Sequence, residues 1–121
     1  MKIIHYKDIV ENIAKLCKQA CCVVTPDLKQ AFKKAKEDEK SPLGKSIIGT
    51  ILENADIAET TGIPLCQDTG MSVVFVEIGQ NVRIEGGYIE DAINEGVAKG
   101  YTENYLRKSV VNDPIYERKK D

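Results

Sequence analysis

The first sixty positions of the chain carry apolar residues at three- and four-residue steps, which is the spacing of one face of an α-helix. This spacing predicts a first helix from about Lys7 to Val23. Thr25-Pro26 and Ser41-Pro42 each place an N-cap residue before a proline, and such a pair favours the start of a helix. The second helix runs into the charged segment 33–40. The third should end near Thr61-Gly62, because glycine accepts the left-handed conformation found after helices.

Residues after the third helix have the composition of β-strands. Met71–Ile78 is rich in β-branched and aromatic residues and is bounded by glycines, which predicts a buried strand. Val82–Glu85 predicts a second short strand, reached by either a turn or a crossing loop. Helical spacing returns over Ile89–Tyr101, whereas Tyr105–Val111 is at most a short amphipathic segment. The predicted fold class is α+β, with a helical N-terminal half of about three helices, a short buried strand region and a further helix.

Composition limits the chain to one domain of ordinary size. Its 121 residues are 42% apolar and 30% charged, which fits a single soluble globular domain over 1–121. The net charge of −2 removes the main electrostatic argument for a nucleic acid or an anionic membrane as partner. No apolar stretch approaches the roughly 20 residues that span a bilayer, and charges interrupt the N-terminus where a secretory signal would be apolar. We therefore expect a cytoplasmic protein with no nucleic-acid and no membrane partner.

The four cysteines fall into two sets, three near the N-terminus and one in the middle of the chain. In a reducing compartment they are expected to be free thiols, packing residues or metal ligands. Cys17 and Cys21 lie four residues apart on the apolar face of the first helix, which is typical of buried packing. Neighbouring Cys21 and Cys22 would form a strained disulfide. We expect no metal or redox role for these three, which leaves Cys66.

The segment Ile63–Gly70 concentrates the reactive side chains of the chain. It joins the third helix to the predicted strand and carries a thiol, an amide, a carboxylate and a hydroxyl on consecutive residues. On local chemistry Cys66 is a nucleophile, a metal or cluster ligand, or a small buried residue. A nucleophilic cysteine needs a base, and the single histidine, His5, precedes the first helix and is expected to be an exposed terminal residue. A zinc site in this chain alone lacks the paired cysteine or histidine ligands.

The sequence of 63–80, IPLCQDTGMSVVFVEIGQ, resembles the signature of the class I, iron–sulfur-dependent fumarate hydratases and the related L-tartrate dehydratase α subunits. The resemblance continues upstream through NADIAETTG at 54–62, and downstream through GGYIEDAINEGVAKGY at 86–101 and YLRKSVVNDP at 105–114. It covers most of the chain and is weakest before Ser41. It implies a hydro-lyase that interconverts fumarate and L-malate, with a [4Fe-4S] cluster held by three cysteines and one iron left open for the substrate hydroxyl.

The same resemblance implies a role for four residues. Cys66 matches the first cluster-ligating cysteine of the family motif. Gln67 and Asp68 match neighbouring positions that contact substrate, and Asp68 also matches a member of the proton-transfer network. Arg107 matches an arginine that holds a substrate carboxylate. Three of them also have a plainer interpretation, since Cys66 fits a core thiol, Asp68 a turn cap and Arg107 a surface ion-pair partner.

In the family that this chain resembles, the α subunit is longer, and its other two cluster cysteines lie beyond the part matched here. A β subunit or a fused C-terminal domain supplies further catalytic groups. The resemblance therefore implies an N-terminal portion of an α subunit that needs both of these and a small dicarboxylate substrate, and that has no cluster and no activity alone. Apolar surface that the missing part would cover favours a homo-oligomer. An L-tartrate dehydratase α subunit and a non-catalytic scaffold domain are the alternative hypotheses.

Overall fold

The computed structural model of this chain describes residues 1–116. In chain order the elements are β1 (Lys2–His5), α1 (Tyr6–Cys22), α2 (Pro26–Asp38), α3 (Pro42–Thr61), β2 (Val82–Glu85) and α4 (Ile89–Glu103). The α+β class predicted from the sequence is confirmed, with three helices, a short parallel sheet and a further helix. Across these described residues, we find no helix with both the length and the apolar character that crossing a bilayer requires.

Local sequence signals set the boundaries of the first three helices. α1 begins and ends one residue earlier than predicted. Pro26 is the first residue of α2, and Ser41 caps α3 because its Oγ accepts a hydrogen bond from the amide of Gly44 at 3.3 Å. Gly62 ends α3 in the left-handed conformation, with φ 70°, and its amide donates to the carbonyl of Ala58 at 2.9 Å. The helical part of the prediction is therefore confirmed.

The chain divides into two compact units. The first, here called the helical unit, is Gln19–Gln67 and contains α2, α3 and the end of α1. The second, the sheet unit, combines Met1–Lys18 with the residues from Asp68 onward and contains the sheet, α4 and most of α1. The boundary between the units falls between Gln67 and Asp68, inside the segment that carries the candidate chemistry.

Two glycines allow α4 to lie against α1 in the sheet unit, beside the parallel pair of β1 and β2. A Cβ added at Gly96 would lie 2.6 Å from the Cβ of Ile13, and one added at Gly100 would lie 2.9 Å from the Cβ of Cys17. Both distances are far shorter than the 3.5–4.0 Å or so at which carbon atoms attract each other. Side chains at these two positions would therefore force the helices apart.

Polar contacts reinforce the packing of α1 on α4. Lys99 pairs with the carboxylate of Glu11, and this contact lowers the pKa of Glu11 and raises the pKa of Lys99. The hydroxyl of Tyr6 donates to Oε2 of Glu95 at 2.7 Å, which raises the pKa of Tyr6 to about 12. Because these groups lie at the surface, the contacts orient the two helices more than they stabilise them.

The helical unit is held together by α2 packed on α3 and by one lysine that bridges them. Nζ of Lys29 lies 2.6 Å from Oδ1 of Asp56 and 3.1 Å from Oε2 of Glu59. The hydrogen bond from Lys29 lowers the pKa of Asp56, and the two carboxylates raise the pKa of Lys29. On the inner face of α3, Ala55 and Ala58 are buried. Small side chains on this face let the neighbouring backbone approach closely.

The prediction of a buried strand over Met71–Ile78 is wrong. These residues have no regular secondary structure and all are exposed, and Phe75 is 93% exposed. A strand needs a partner for its backbone amides and carbonyls, and the sheet in residues 1–116 consists of β1 and β2 alone. The predicted strand at Val82–Glu85 is confirmed, and its partner is Lys2–His5, which the short N-terminal pattern did not reveal.

Candidate functional site

The loop after α3 is tied to the end of α1 within the helical unit. The thiol of Cys22 donates to the carbonyl of Gly62 at 3.5 Å, and the amide of Leu65 donates to the carbonyl of Cys21 at 2.9 Å. Pro64 adds stiffness between these two attachment points, because its ring fixes φ. The loop that leads to Cys66 is therefore anchored on both of its sides.

Cys66 lies at the centre of a tight turn, with its side chain exposed. The amide of Gln67 donates to the carbonyl of Leu65 at 2.8 Å, which closes a three-residue γ-turn around Cys66. The amide of Cys66 itself donates to Oδ1 of Asn54 at 3.1 Å. The backbone is held while the thiol faces solvent, so this residue is not the core thiol of the plainer interpretation.

A cavity of about 470 Å³ opens beside this turn in the helical unit. Its walls are largely apolar, and polar groups converge where the loop meets α3. The residues that define this arrangement are Leu28, Phe32, Ile51, Asn54, Cys66 and Gln67. An apolar cavity with a few convergent polar groups is the usual form of a small-molecule or cofactor site.

The other three cysteines occupy packing positions on α1. Cys22 is buried, whereas Cys17 and Cys21 are half-buried. Burial raises the pKa of the Cys17 thiol, which disfavours the thiolate that metal binding requires. Over the described range 1–116, no three His, Cys, Asp or Glu side chains come together as a metal site. Among the described residues, the exposed Cys66 suits a [4Fe-4S] cluster as a ligand of one iron atom. The described residues do not supply a complete set of ligands for such a cluster.

Asp68 begins the part of the sheet unit that faces the second candidate segment. It is exposed, and two residues later Gly70 adopts φ 64°, in the left-handed region that glycine occupies without strain. The amide of Gly70 donates to Oγ of Ser109 at 3.2 Å. This bond brings the residues after Asp68 next to those after Arg107, so the sheet unit joins the two segments that carry the predicted substrate contacts.

Arg107 is exposed and follows the turn at the end of α4, where Tyr105 has φ 57°. Within residues 1–116 it forms no ion pair. The five donors of its guanidinium are thus not committed to a carboxylate in the described part of the chain.

Sequence reasoning missed a cluster of polar side chains in the sheet unit. They line part of a cavity of about 660 Å³ between the exposed segment after Gly70 and α4. The hydroxyl of Ser72 donates to that of Tyr101 at 2.9 Å, and Lys108 and Ser109 lie on the same lining. A cation beside hydroxyl groups suits a carboxylate. The one sequence signal for it is the adjacent basic pair Arg107-Lys108.

The four residues predicted from the sequence are divided between the two units. Cys66 and Gln67 belong to the helical unit, and Asp68 and Arg107 belong to the sheet unit. Cys66 and Gln67 line the 470 Å³ cavity of the helical unit, whereas Asp68 and Arg107 do not line the 660 Å³ cavity of the sheet unit. Asn54 and Ser109, which fix the two loops, were not among the predicted residues, because each acts through a contact that is distant in sequence.

Comparison with known proteins identifies a matching family and several relatives. The family model described as fumarate hydratase (fumerase) matches residues 10–121. A Methanocaldococcus jannaschii protein assigned as an L(+)-tartrate dehydratase subunit alpha is 39% identical over 105 residues, covering 86% of this chain and 37% of that protein. The aerobic class I fumarate hydratase of Escherichia coli K12 is 38% identical over 74 residues, covering 61% of this chain and 13% of that enzyme.

A third relative shares the tartrate dehydratase name of the first. The L(+)-tartrate dehydratase subunit alpha of Escherichia coli K12 is 28% identical over 94 residues, which cover 75% of this chain and 31% of that subunit. This chain therefore spans well under half the length of each of the three relatives. Since the family match extends over nearly all of the sequence, including the Cys66 loop and the Arg107 segment, the chain belongs to the fumarate hydratase (fumerase) family.

Proposed function

We propose that this chain is the N-terminal portion of a hydro-lyase α subunit that reversibly hydrates fumarate to L-malate, with Cys66 as one ligand of a [4Fe-4S] cluster. The observation that carries the proposal is the Cys66 turn. It presents an exposed thiol on a backbone held from both sides, next to a cavity, at the position where the family resemblance expects a cluster ligand. Family membership supports the reaction class.

When bound, such a cluster would act as a Lewis acid that stabilises the hydroxide lost from the substrate. The chain's own contribution is one exposed thiolate, because Cys66 is the one exposed cysteine of the four and residues 1–116 hold no cluster of metal-binding side chains. The other ligands are expected from the rest of the α subunit. A β subunit or a fused C-terminal domain is expected to complete the active site, and the subunit alpha names of two relatives support such a partner.

The remaining candidate residues suit the binding of a dicarboxylate. Arg107 offers a planar pair of donors that matches a carboxylate in two parallel hydrogen bonds, and no ion pair within residues 1–116 competes for it. Gln67 lines the cavity beside Cys66 in the helical unit, and its amide offers donors to a carboxylate. To Asp68, which is exposed and follows Gln67 in sequence, we assign the proton that moves on the carbon beside the substrate carboxylate.

Dehydration of L-tartrate is the second candidate reaction. It is favoured by one observation, the 105-residue match to a protein assigned as a tartrate dehydratase subunit, against 74 residues for the fumarate hydratase. L-Tartrate carries one hydroxyl group more than L-malate, and a site that hydrogen-bonds this hydroxyl discriminates strongly between the two hydroxy-acids. The described cavities do not contain a complete site for either one.

Two further properties belong to the same proposal. A cytoplasmic location is supported by the free thiols of Cys17, Cys22 and Cys66, as expected in a reducing compartment. Self-association is supported by the exposed run Met71–Ile78, whose apolar side chains lack a covering element in residues 1–116. In a complete subunit, the same run would be available to pack against the remaining part.

The test is a chimeric subunit in which this chain replaces the matching segment of the Methanocaldococcus jannaschii relative, produced together with that relative's partner subunit. After anaerobic loading with iron and sulfide, hydration of fumarate and dehydration of L-tartrate are measured beside the unaltered relative. Turnover of fumarate supports the proposal, and turnover of L-tartrate alone moves the assignment to the second candidate. A chimera that carries the cluster but converts neither substrate contradicts the hydro-lyase assignment.

A further inference from the structure

Three consecutive backbone amides around Cys66 donate to three different acceptors. The amide of Leu65 donates to the carbonyl of Cys21 at 2.9 Å, and that of Gln67 donates to the carbonyl of Leu65 at 2.8 Å. The amide of Cys66, between them, donates to Oδ1 of Asn54 at 3.1 Å. The two outer acceptors belong to the backbone and are present whatever the side chains are. The central acceptor is the only one of the three that depends on a side chain.

Asn54 is unusual for its place in the fold. It lies in the interior of α3, twelve residues before Cys66, and is half-buried next to the buried Ala55. Asparagine is a weak helix former, because its side chain competes for the helix backbone. Here its carboxamide oxygen reaches out of the helix and accepts a hydrogen bond from the loop. A helix-forming residue such as alanine would favour α3 but would leave the amide of Cys66 without this acceptor.

We propose that Asn54 is the positioning residue of Cys66: its carboxamide oxygen fixes the Cys66 amide and, through it, the direction in which the thiol is presented. The consequence of this thiol orientation for catalysis rests on the proposed function, in which Cys66 is a cluster ligand. Groups that orient a ligand without touching the metal commonly decide how well the metal is held. The role proposed for Asn54 is exerted through the hydrogen bond that it accepts from the Cys66 amide.

The experiment follows the Cys66 amide directly in the ¹⁵N-labelled 121-residue chain. Amide hydrogen exchange at Cys66 is measured by NMR in the unaltered chain and in the Asn54→Ala and Asn54→Asp variants. Aspartate keeps an acceptor oxygen in the same place, whereas alanine removes it. Thr50→Ala is the matched control, because Thr50 lies one turn earlier in α3 on the same cavity and its hydroxyl donates back to the carbonyl of Ser46 at 3.2 Å. Urea unfolding of each variant reports global stability.

The positioning role predicts that Asn54→Ala speeds exchange at Cys66 at least tenfold, while Asn54→Asp and Thr50→Ala leave it within about threefold of the unaltered chain. The exchange of Leu65 and Gln67 should change less than that of Cys66, because their acceptors are unaltered. Equal exchange at Cys66 in all variants would overturn the inference. So would a uniform rise at every amide of α3, since that would reveal a purely structural role.

A Cys66→Ser variant separates this inference from the proposed function. It removes the thiol on which cluster ligation depends and keeps the amide that donates to Asn54. Protection of the amide at position 66 should therefore survive in Cys66→Ser and be lost when Asn54→Ala is added. Loss of protection in Cys66→Ser alone would contradict the role of Asn54 without bearing on cluster binding, which iron loading of the chimera tests independently.

Discussion

The amide of Gly70 donates a hydrogen bond to Oγ of Ser109 at 3.2 Å, across 39 residues of sequence. This one bond joins the segment that begins at Asp68 to the segment that contains Arg107. Gly70 adopts φ 64° at the junction, a backbone conformation that is strained for residues with a side chain. The space around it is open, because an added Cβ would have no atom within 4 Å. The junction is therefore set by backbone conformation and by the serine hydroxyl, and not by close packing.

Ser109→Ala should weaken substrate binding by the chimera. Loss of the hydroxyl frees Gly70 from the Arg107 segment, and a lost hydrogen bond of about 1.4 kcal/mol corresponds to a roughly tenfold higher KM for fumarate. Ser109→Thr keeps an acceptor and should stay within about threefold of the unaltered KM. Steady-state kinetics on both variants make the comparison. An unchanged KM in Ser109→Ala would show that the junction does not order the site.

Arg107→Lys should lower kcat/KM for fumarate by roughly 30- to 100-fold, because lysine keeps the charge but loses the paired donors that match a carboxylate. Arg83→Lys is the matched control. Arg83 is also an exposed arginine of the sheet unit, but it pairs with Glu85 at 3.5 Å on β2, so its replacement should leave the rate within about twofold. Equal effects of the two replacements would contradict the role given to Arg107.

Gly96→Ala should destabilise the chain by about 1–3 kcal/mol, the usual cost of overpacking. The added Cβ would lie 2.6 Å from the Cβ of Ile13 and 2.8 Å from the carbonyl oxygen of Val10. Gly49→Ala in α3 is the control, because its nearest neighbour is the flexible end of Lys36 at 3.1 Å. That replacement should be neutral or should stabilise by up to about 1 kcal/mol through helix propensity. Urea unfolding with equal losses in both variants would refute the close packing of α4 on α1.

The pairing of Lys29 with Asp56 should make stability depend on pH in the acid range. Lys29 lowers the pKa of Asp56, so the folded state binds this proton more weakly than the unfolded state. The stabilisation is therefore present above pH of about 4, near the unfolded pKa, and is lost as the pH falls through the folded pKa. Asp56→Asn should flatten the fall in urea midpoint between about pH 5 and pH 3.

The control for the pH experiment is Asp38→Asn, at the end of α2. Asp38 is exposed and has no ion pair in the described part of the chain, so its replacement should leave the pH profile unchanged. A profile that is equally steep in the unaltered chain and in Asp56→Asn would show that the pair with Lys29 contributes nothing measurable to folding.

Features that depend on neighbouring residues were predictable from the sequence. A proline after a capping residue marks the start of α3, and Gly62 marks its end, because caps act within one turn of the helix. That a loop containing Cys66 follows α3 was predictable for the same reason, while the roles of its residues stay predictions. The helical pattern of α4 was also local, and the helix continues two residues beyond the predicted Tyr101, to Glu103.

Features that depend on distant partners were not predictable. Met71–Ile78 is rich in β-branched residues, which are common in strands. A strand forms only where a partner strand is available, and the sheet in residues 1–116 offers none to this segment. Four residues at Lys2–His5 were too few to reveal a period, yet they pair with β2. Asn54 and Ser109 looked like ordinary polar residues, because their contacts cross 12 and 39 residues of sequence.

The most direct test of the central claim compares Cys66→Ala with Cys17→Ala in the chimera, by iron and acid-labile sulfide bound per subunit after anaerobic loading. Circular dichroism establishes that both variants are folded. The proposal assigns iron ligation to Cys66, which is exposed in a fixed turn, and not to Cys17, which is half-buried against Gly100. The account predicts that Cys66→Ala loses the cluster while Cys17→Ala keeps it. Full iron and sulfide in a folded Cys66→Ala chimera would contradict it.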